Sequence, residues 1–148
     1  MLMINFKEDA TSLKTRINIH SQYGQKDMVE WVAKLVNRKK KLKILELSSG
    51  SGEQTNKFSK FLKNKKIKHQ INATDNNDSL LKIAKIKNKN KNIFYSKLDF
   101  NKKFKFKNEK FDLAICLFGI YYSKNIKKTL IEIKRILKKK SQIILVGP

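Results

Sequence analysis

The chain has 148 residues, 40% of them hydrophobic, which suits a single domain with its own buried core. No apolar run approaches the ~18 residues that cross a bilayer, the lone Cys116 excludes a disulfide framework, and His20 and His69 without clustered cysteines give a structural metal site no ligand set. The formal charge of +23 would ordinarily point to nucleic acid. Yet the 35 basic residues include only Arg16, Arg38 and Arg135 as arginines, and specific readers of phosphates and base edges favour the bidentate arginine fork. Lysine is instead spread along the chain with asparagine and isoleucine, residues of A/T-rich codons, so any nucleic-acid binding is expected to be non-specific.

In chain order, the start from Met1 to Phe6 lacks a basic stretch followed by a sustained apolar one, so no secretory signal is read there and a reducing cytoplasm is the expected setting. Arg16, His20 and Tyr23-Gly24 form a polar-aromatic cluster. Met28, Trp31, Val32, Leu35 and Val36 then recur at three- and four-residue steps, which predicts an amphipathic helix over Asp27 to Asn37 with Trp31 in the core.

The most informative stretch follows. Lys43 to Leu47 reads as an apolar strand carrying a carboxylate, Glu46, and it runs into Ser48-Ser49-Gly50-Ser51-Gly52. Gln54 to Asn64, with Phe58, Phe61 and Leu62 at helical spacing, reads as the next helix. A strand, a glycine turn and a helix N-terminus bring backbone N–H groups close to a ligand at the carboxyl edge of a parallel sheet.

His69 to Asp75 predicts a second strand ending in an acid, and Ser79 to Lys87 a helix after it. Asp75 stands 23 positions after Gly52, where a strand-helix-strand unit places a carboxylate beside a ribose. Asn92 to Leu98 is a third strand with Asp99 and Phe100 at its end. Phe111 to Phe118 is a fourth, nearly all apolar, as in a sheet covered on both faces. Gly119-Ile120-Tyr121-Tyr122 follows it, then an amphipathic helix through Ile126, Leu130, Ile133 and Leu137, and a fifth strand over Ser141 to Gly147.

Three of the 12 acids, Glu46, Asp75 and Asp99, thus fall at the carboxyl ends of successive strands. Each alone is more often a solvated group or a cap; together they mark a ligand edge. Asp112 sits at the entry end of its strand and reads as structural. Cys116, inside an apolar strand, reads as a buried inert thiol. The lysine runs Arg38 to Lys41, Lys63 to Lys68 and Lys138 to Lys140 read as helix ends and loops in water. A dinucleotide fingerprint would need a third glycine where Thr55 stands, and a P-loop would need Gly-Lys-Ser/Thr. Neither is present.

The run from Glu46 to Gly52 resembles motif I of the class I S-adenosylmethionine-dependent methyltransferases, with Ser48 in place of the first glycine. The resemblance extends from about Trp31 to the C-terminus. It implies an α/β fold, a doubly wound, mostly parallel Rossmann-like sheet with about five strands present, in one domain over 1–148. Residues 1–24 would be an N-terminal lid segment and 25–148 the core. It implies S-adenosylmethionine as cofactor, with Glu46, Ser48, Gly50 and Gly52 at the corner and Asp75 with Asn76 at the ribose. Asp99 would meet the adenine amino group beside Phe100, and Tyr23 and Arg16 would reach the methionine part. The implied activity is direct methyl transfer to a small-molecule acceptor. His20, Tyr121 and Tyr122 are candidate bases for a hydroxyl acceptor. The family usually carries two further strands, so the stop at Pro148 leads us to expect a short acceptor wall, with self-association through the open edge of Gln142 to Val146. An RNA methyltransferase with a basic surface and a catalytically silent cofactor-binding or assembly domain are the other readings.

Overall fold

The structure is a computed structural model that describes residues 27–37, 39 and 41–147, together with Thr11 and Thr15. The candidates Arg16, His20 and Tyr23 lie outside the described residues, as does the 1–24 lid segment apart from Thr11 and Thr15. The elements run α1 (Met28–Leu35), β1 (Lys41–Leu47), α2 (Glu53–Asn64), β2 (Lys68–Asp75), α3 (Asp78–Lys87), β3 (Ile93–Lys97), β4 (Phe111–Leu117), a 3-10 turn (Ile120–Tyr122), α4 (Ile126–Ile136) and β5 (Leu137–Val146).

All strands pair in parallel in the order β3-β2-β1-β4-β5. The chain therefore steps outward from β1 through β2 to β3, then crosses back to lay β4 on the other side of β1. That reversal opens a crevice beyond the carboxyl ends of β1 and β4, the place where such sheets hold ligands. Alternation along β1 separates two cores. Leu42 and Ile44 join Val29, Val32, Phe58, Leu62 and Ile71 under α1 and α2, whereas Leu45 and Leu47 join Phe111, Ala114, Cys116, Ile133 and Ile136 under α4. The carboxyl of Glu46 continues the Leu42–Ile44 face, so the same alternation that builds the core buries an acid.

Helix starts are set by local polar chemistry. Asp27 accepts from the N–H groups of Val29 and Glu30, Asn77 from those of Ser79 and Leu80, and Asn125 from that of Lys128. Helix α2 differs, because its N-cap is Gly52, which brings no side chain.

Two expectations are corrected. Trp31 is not in the core: it is 46% exposed, with Leu35 beside it on the outer face. The inward stripe is Val29, Val32, Ala33 and Val36, whose short side chains bring the helix close to the sheet. Lys138 to Lys140 are not a loop, because β5 starts at Leu137 directly after α4. The stretch bulges, since β4's Phe111 pairs with Leu137 and its Leu113 with Gln142, and Lys140 takes φ 55°. Lys138 reaches Asp112 at 3.0 and 3.1 Å. Asp112 also accepts from the Lys43 N–H at 3.0 Å. Burial works to raise its proton affinity, but the Lys43 N–H, Lys138 and Lys39 outweigh it and hold this carboxyl below the usual range. It is a structural tie across the entry ends of β1, β4 and β5.

On the other side, Arg135 clamps the segment before β4. Its guanidinium donates to the carbonyls of Phe104 and Phe106, to Asn108, and to Glu132, whose Oε2 accepts from the Phe104 N–H. The alternating Lys103-Phe104-Lys105-Phe106-Lys107 therefore turns its aromatics inward: Phe104 is 3% exposed and Phe106 meets Phe111 edge-on at 5.0 Å. Arg135→Ala leaves two carbonyls and a carboxylate short of their donor, and we expect a loss of about 2–3 kcal/mol in urea unfolding. A loss under about 0.5 kcal/mol, the size of an exposed ion pair, would show that the clamp is ornamental.

Candidate functional site

The glycine turn is built from left-handed backbone. Ser48, Gly50 and Gly52 have φ of 57°, 55° and 79°. Glycine adopts this region without strain and serine does so at a cost of roughly 1–2 kcal/mol. Ser48, the departure from the glycine pattern, thus keeps the glycine conformation. Its side chain lies against Gly119 after β4, where any Cβ on Gly119 would run into Ser48 and into Cys116 Sγ. The turns after β1 and β4 touch at the crevice because residue 119 has no side chain.

Asp75 closes the loop from the β2 side. Its Oδ2 accepts from the Gly50 N–H at 2.8 Å and its Oδ1 from the Asn77 N–H at 2.9 Å. The Ser49 N–H bonds to the Thr74 carbonyl, and the Thr74 hydroxyl donates to the Glu46 carbonyl. Asn76, next to Asp75, sits at the same carboxyl edge. The acid read as a ribose ligand therefore also shapes the turn, and each oxygen keeps a second lone pair for a further donor.

Glu46 is buried at 6% exposure, and its Oε2 has no hydrogen-bond partner. Burial pushes its carboxyl up to about 7, against a lowering by the Thr55 hydroxyl and with a smaller raising by Asp75. Ser49 Oγ, Gln54 Oε1 and Thr55 Oγ1 are likewise buried without partners. Four unmatched polar atoms at one turn are what a site for a polar ligand leaves behind. They fit a ligand with a donor such as an ammonium for Glu46, and the bare N-cap of α2 fits its negative group.

Asp99 and Phe100 follow β3 at the same edge, where the Leu98 N–H bonds to the Asp75 carbonyl. Asn101 places both its backbone and side-chain N–H on Asp99 Oδ1, at 2.9 and 3.1 Å. Phe100 packs with the α4-side core, and its carbonyl accepts from the Thr129 hydroxyl at 3.2 Å. Past β4, Phe118 at φ 53° leads through Gly119 into the short 3-10 turn. Tyr121 and Tyr122 lie there with ring centroids 4.7 Å apart, both partly exposed at the crevice edge. Cys116 is fully buried and its thiol is pushed up to about 12 by burial, so it stays protonated. His69 is structural: Nδ1 donates to the Ile67 carbonyl and Nε2 accepts from Ser59, which is bonded by Asn90. Among the described residues no group of His, Cys, Asp and Glu is placed to hold a metal ion.

The structure thus brings Glu46, Ser48, Gly50, Gly52, Asp75 and Asn76 to one corner, Asp99 and Phe100 to the same edge, and Tyr121 and Tyr122 to the far side of the crevice. Thr55 and Tyr95 were not singled out from sequence. Thr55 drew notice only for standing where a dinucleotide fingerprint has glycine, and Tyr95 reads as an ordinary strand aromatic. The signal for Tyr95 is register, since it lies level with Glu46 two strands away.

No curated protein matches the sequence. Among solved structures, YcgJ from Bacillus subtilis superposes with a TM-score of 0.69 at 16% identity, over 79% of this chain and 48% of its own. An S-adenosylmethionine-dependent methyltransferase from Mesorhizobium loti gives 0.66 at 18%, over 79% of this chain and 52% of its own. One from Aquifex aeolicus gives 0.71 at 22%, over 88% and 69%. The chain spans about half the length of the first two. At these identities the likeness is one of fold, a Rossmann-like α/β sheet. The sequence from residue 45 to 145 matches the family model described as a methyltransferase domain, most of the chain, and on that match the protein belongs to the methyltransferase-domain family.

Proposed function

We propose that the chain binds S-adenosylmethionine at the glycine corner and serves direct methyl transfer to a small-molecule acceptor. The observation that carries this reading is the unpartnered, buried Glu46 Oε2 beside three left-handed turn residues. In it, Gly50 and Gly52 admit the ligand to the backbone, and Ser48 holds the turn. The Glu46 carboxylate takes the ammonium of the methionine part, with Arg16 and Tyr23 as further contacts. Asp75 and Asn76 take the ribose, and Asp99 with Phe100 the adenine. When bound, the cofactor supplies a sulfonium-activated methyl group. The chain's own task is to hold an acceptor in line with it and to exclude water. An amine or phenolate needs no base; for a hydroxyl, His20, Tyr121 and Tyr122 are the candidates.

The inward Phe104 and Phe106 support a small acceptor over RNA, because they leave that lysine-rich segment only phosphate contacts to offer. Self-association belongs to the same reading. Among the described residues β5 pairs with β4 alone, and Ile143 and Leu145 on it are each 40% exposed. No helix of the described residues is long and apolar enough to cross a membrane, and we read the setting as cytoplasmic.

Titration calorimetry with S-adenosylmethionine and S-adenosylhomocysteine tests the reading. Wild type should bind, and Asp75→Ala should weaken binding by about 1.5–3 kcal/mol, since both the ribose contact and the acceptor for the Gly50 N–H are lost. Asp75→Asn, which keeps an acceptor for the turn, should lose less. A folded wild type that gives no heat with either ligand at millimolar concentration would sink the proposal.

A further inference from the structure

Glu46 pairs across β1 and β2 with Ala73, and Ala73 pairs across β2 and β3 with Tyr95. Residues level with one another in parallel strands project to one face, here the face under α2. The small Ala73 between them leaves open the space over which a carboxyl and a phenol lean together. Gly52 roofs that space, and a Cβ there would run into the Tyr95 hydroxyl. Thr55, fully buried in the first turn of α2, completes the group.

Thr55 is shared. Its hydroxyl acts on both Glu46 and Tyr95, its single proton can serve only one of them at a time, and in this structure it makes no hydrogen bond of full quality with either. Asn88 Nδ2 donates to the Tyr95 oxygen, so the phenolic proton is left to point elsewhere. The groups acting around Glu46 come from each neighbouring element: Asp75 from β2, Tyr95 from β3, Cys116 from β4 and Thr55 from α2. Asp75 is an acceptor already engaged by the Gly50 and Asn77 N–H groups, and a thiol is a weak donor. The two hydroxyls are the strong donors of the set.

We propose that Thr55 and Tyr95 are positioning residues for Glu46, a hydroxyl relay running from Asn88 through Tyr95 and Thr55 that turns toward the carboxylate when it ionises and holds its free oxygen toward the glycine turn. Each donor in the row points the same way, so each strengthens the next. The relay makes ligand capture proton-linked, because the ionised carboxylate is the form that both hydroxyls and a ligand ammonium favour. The inference rests on the proposed function for its ligand, but its first measurement does not.

That measurement is the titration of Glu46 by carboxyl carbon NMR in the 148-residue chain without ligand. Wild type should titrate near its value of about 7. Thr55→Val, which keeps the shape and removes the hydroxyl, should move the midpoint up by roughly one pH unit, and Tyr95→Phe by a smaller amount in the same direction. Thr55→Ser should restore the wild-type midpoint, a rescue that loss of packing alone would not give. Circular dichroism confirms folding, and should Thr55→Val fail it, Tyr95→Phe at a half-buried site still decides. Midpoints unmoved in the folded variants, or moved down, overturn the relay. In a second arm, the pH profile of S-adenosylhomocysteine affinity should shift with the NMR midpoint. A moved midpoint with a flat binding profile supports the relay and counts against the ligand assigned to Glu46.

Discussion

Glu46→Gln should make the unliganded fold more stable at pH 8 while weakening S-adenosylhomocysteine at least tenfold. The sign follows from proton linkage. Burial raises the Glu46 carboxyl from an ordinary 4.5 to about 7 in the folded chain. Below pH 4.5 the group is protonated folded or unfolded, and its stabilising contribution is fully present. Between pH 4.5 and 7 the unfolded chain releases the proton while the folded chain retains it, so the folded state binds more protons and stability falls as pH rises. Above pH 7 the loss is complete, at about 3 kcal/mol for a shift of this size. Glutamine carries no charge to desolvate, but it leaves a buried amide without full partners, which returns about 1–2 kcal/mol. The net gain at pH 8 should therefore be about 1–2 kcal/mol, crossing zero between about pH 5 and 6 and becoming a loss of about 1–2 kcal/mol near pH 4.5, in urea unfolding across that range. A variant less stable than wild type at pH 8 would mean that the buried carboxylate is already satisfied by groups within the fold, and its role as a ligand group would fall with it.

A stability gain bought by losing a ligand contact is the mark of a group kept for function. It also shows why the acid itself was legible in the sequence: apolar strand, carboxylate and glycine turn appear in one run, and the same order of strand end and acid recurs at Asp75 and Asp99. Strand and helix periods placed most elements to within a few residues, because each strand here is bounded by a turn or helix of distinct composition. The failures have physical causes. Lys138 to Lys140 read as a loop because a run of lysines reads as water-facing, but Lys138 is neutralised by Asp112 and the outermost described strand tolerates lysine at its edge. Trp31 read as core because area of apolar surface suggests burial, whereas the gap above the sheet accepts valine and alanine and leaves indole outside.

The site was legible where it depends on one segment and illegible where it depends on two. Gly50 and Gly52 announce their own turn. That Asp75 holds Gly50, that Gly119 must be bare to pass Ser48, and that Tyr95 lies level with Glu46 across Ala73 all depend on strand order and register. No local pattern carries that information. Asp75 shows the consequence: spacing alone suggests a ribose contact, whereas its hold on the turn is visible only with the pairing of β1 and β2.

Gly52 offers the sharpest test of that cross-strand arrangement. Valine there should cost about 3–4 kcal/mol and abolish binding of S-adenosylhomocysteine, because two penalties add. At φ 79° any side chain is strained by roughly 1–2 kcal/mol. A Cβ would also strike the Tyr95 hydroxyl and press on Tyr95 Cζ and Cε1 at 3.0 and 3.1 Å, an overpacking of about 1–3 kcal/mol. The two parts separate in a double-mutant cycle with the milder Gly52→Ala. In the wild-type background it should cost about 2–3 kcal/mol. With Tyr95→Phe already in place the closest obstacle is gone, and the cost should fall by about 1 kcal/mol toward the backbone strain alone, a coupling well above the scatter of independent sites. Chemical denaturation of the four proteins gives the number directly. Strict additivity would mean that Tyr95 does not lie under the turn, and the contact from β3 to the glycine corner would have to be abandoned.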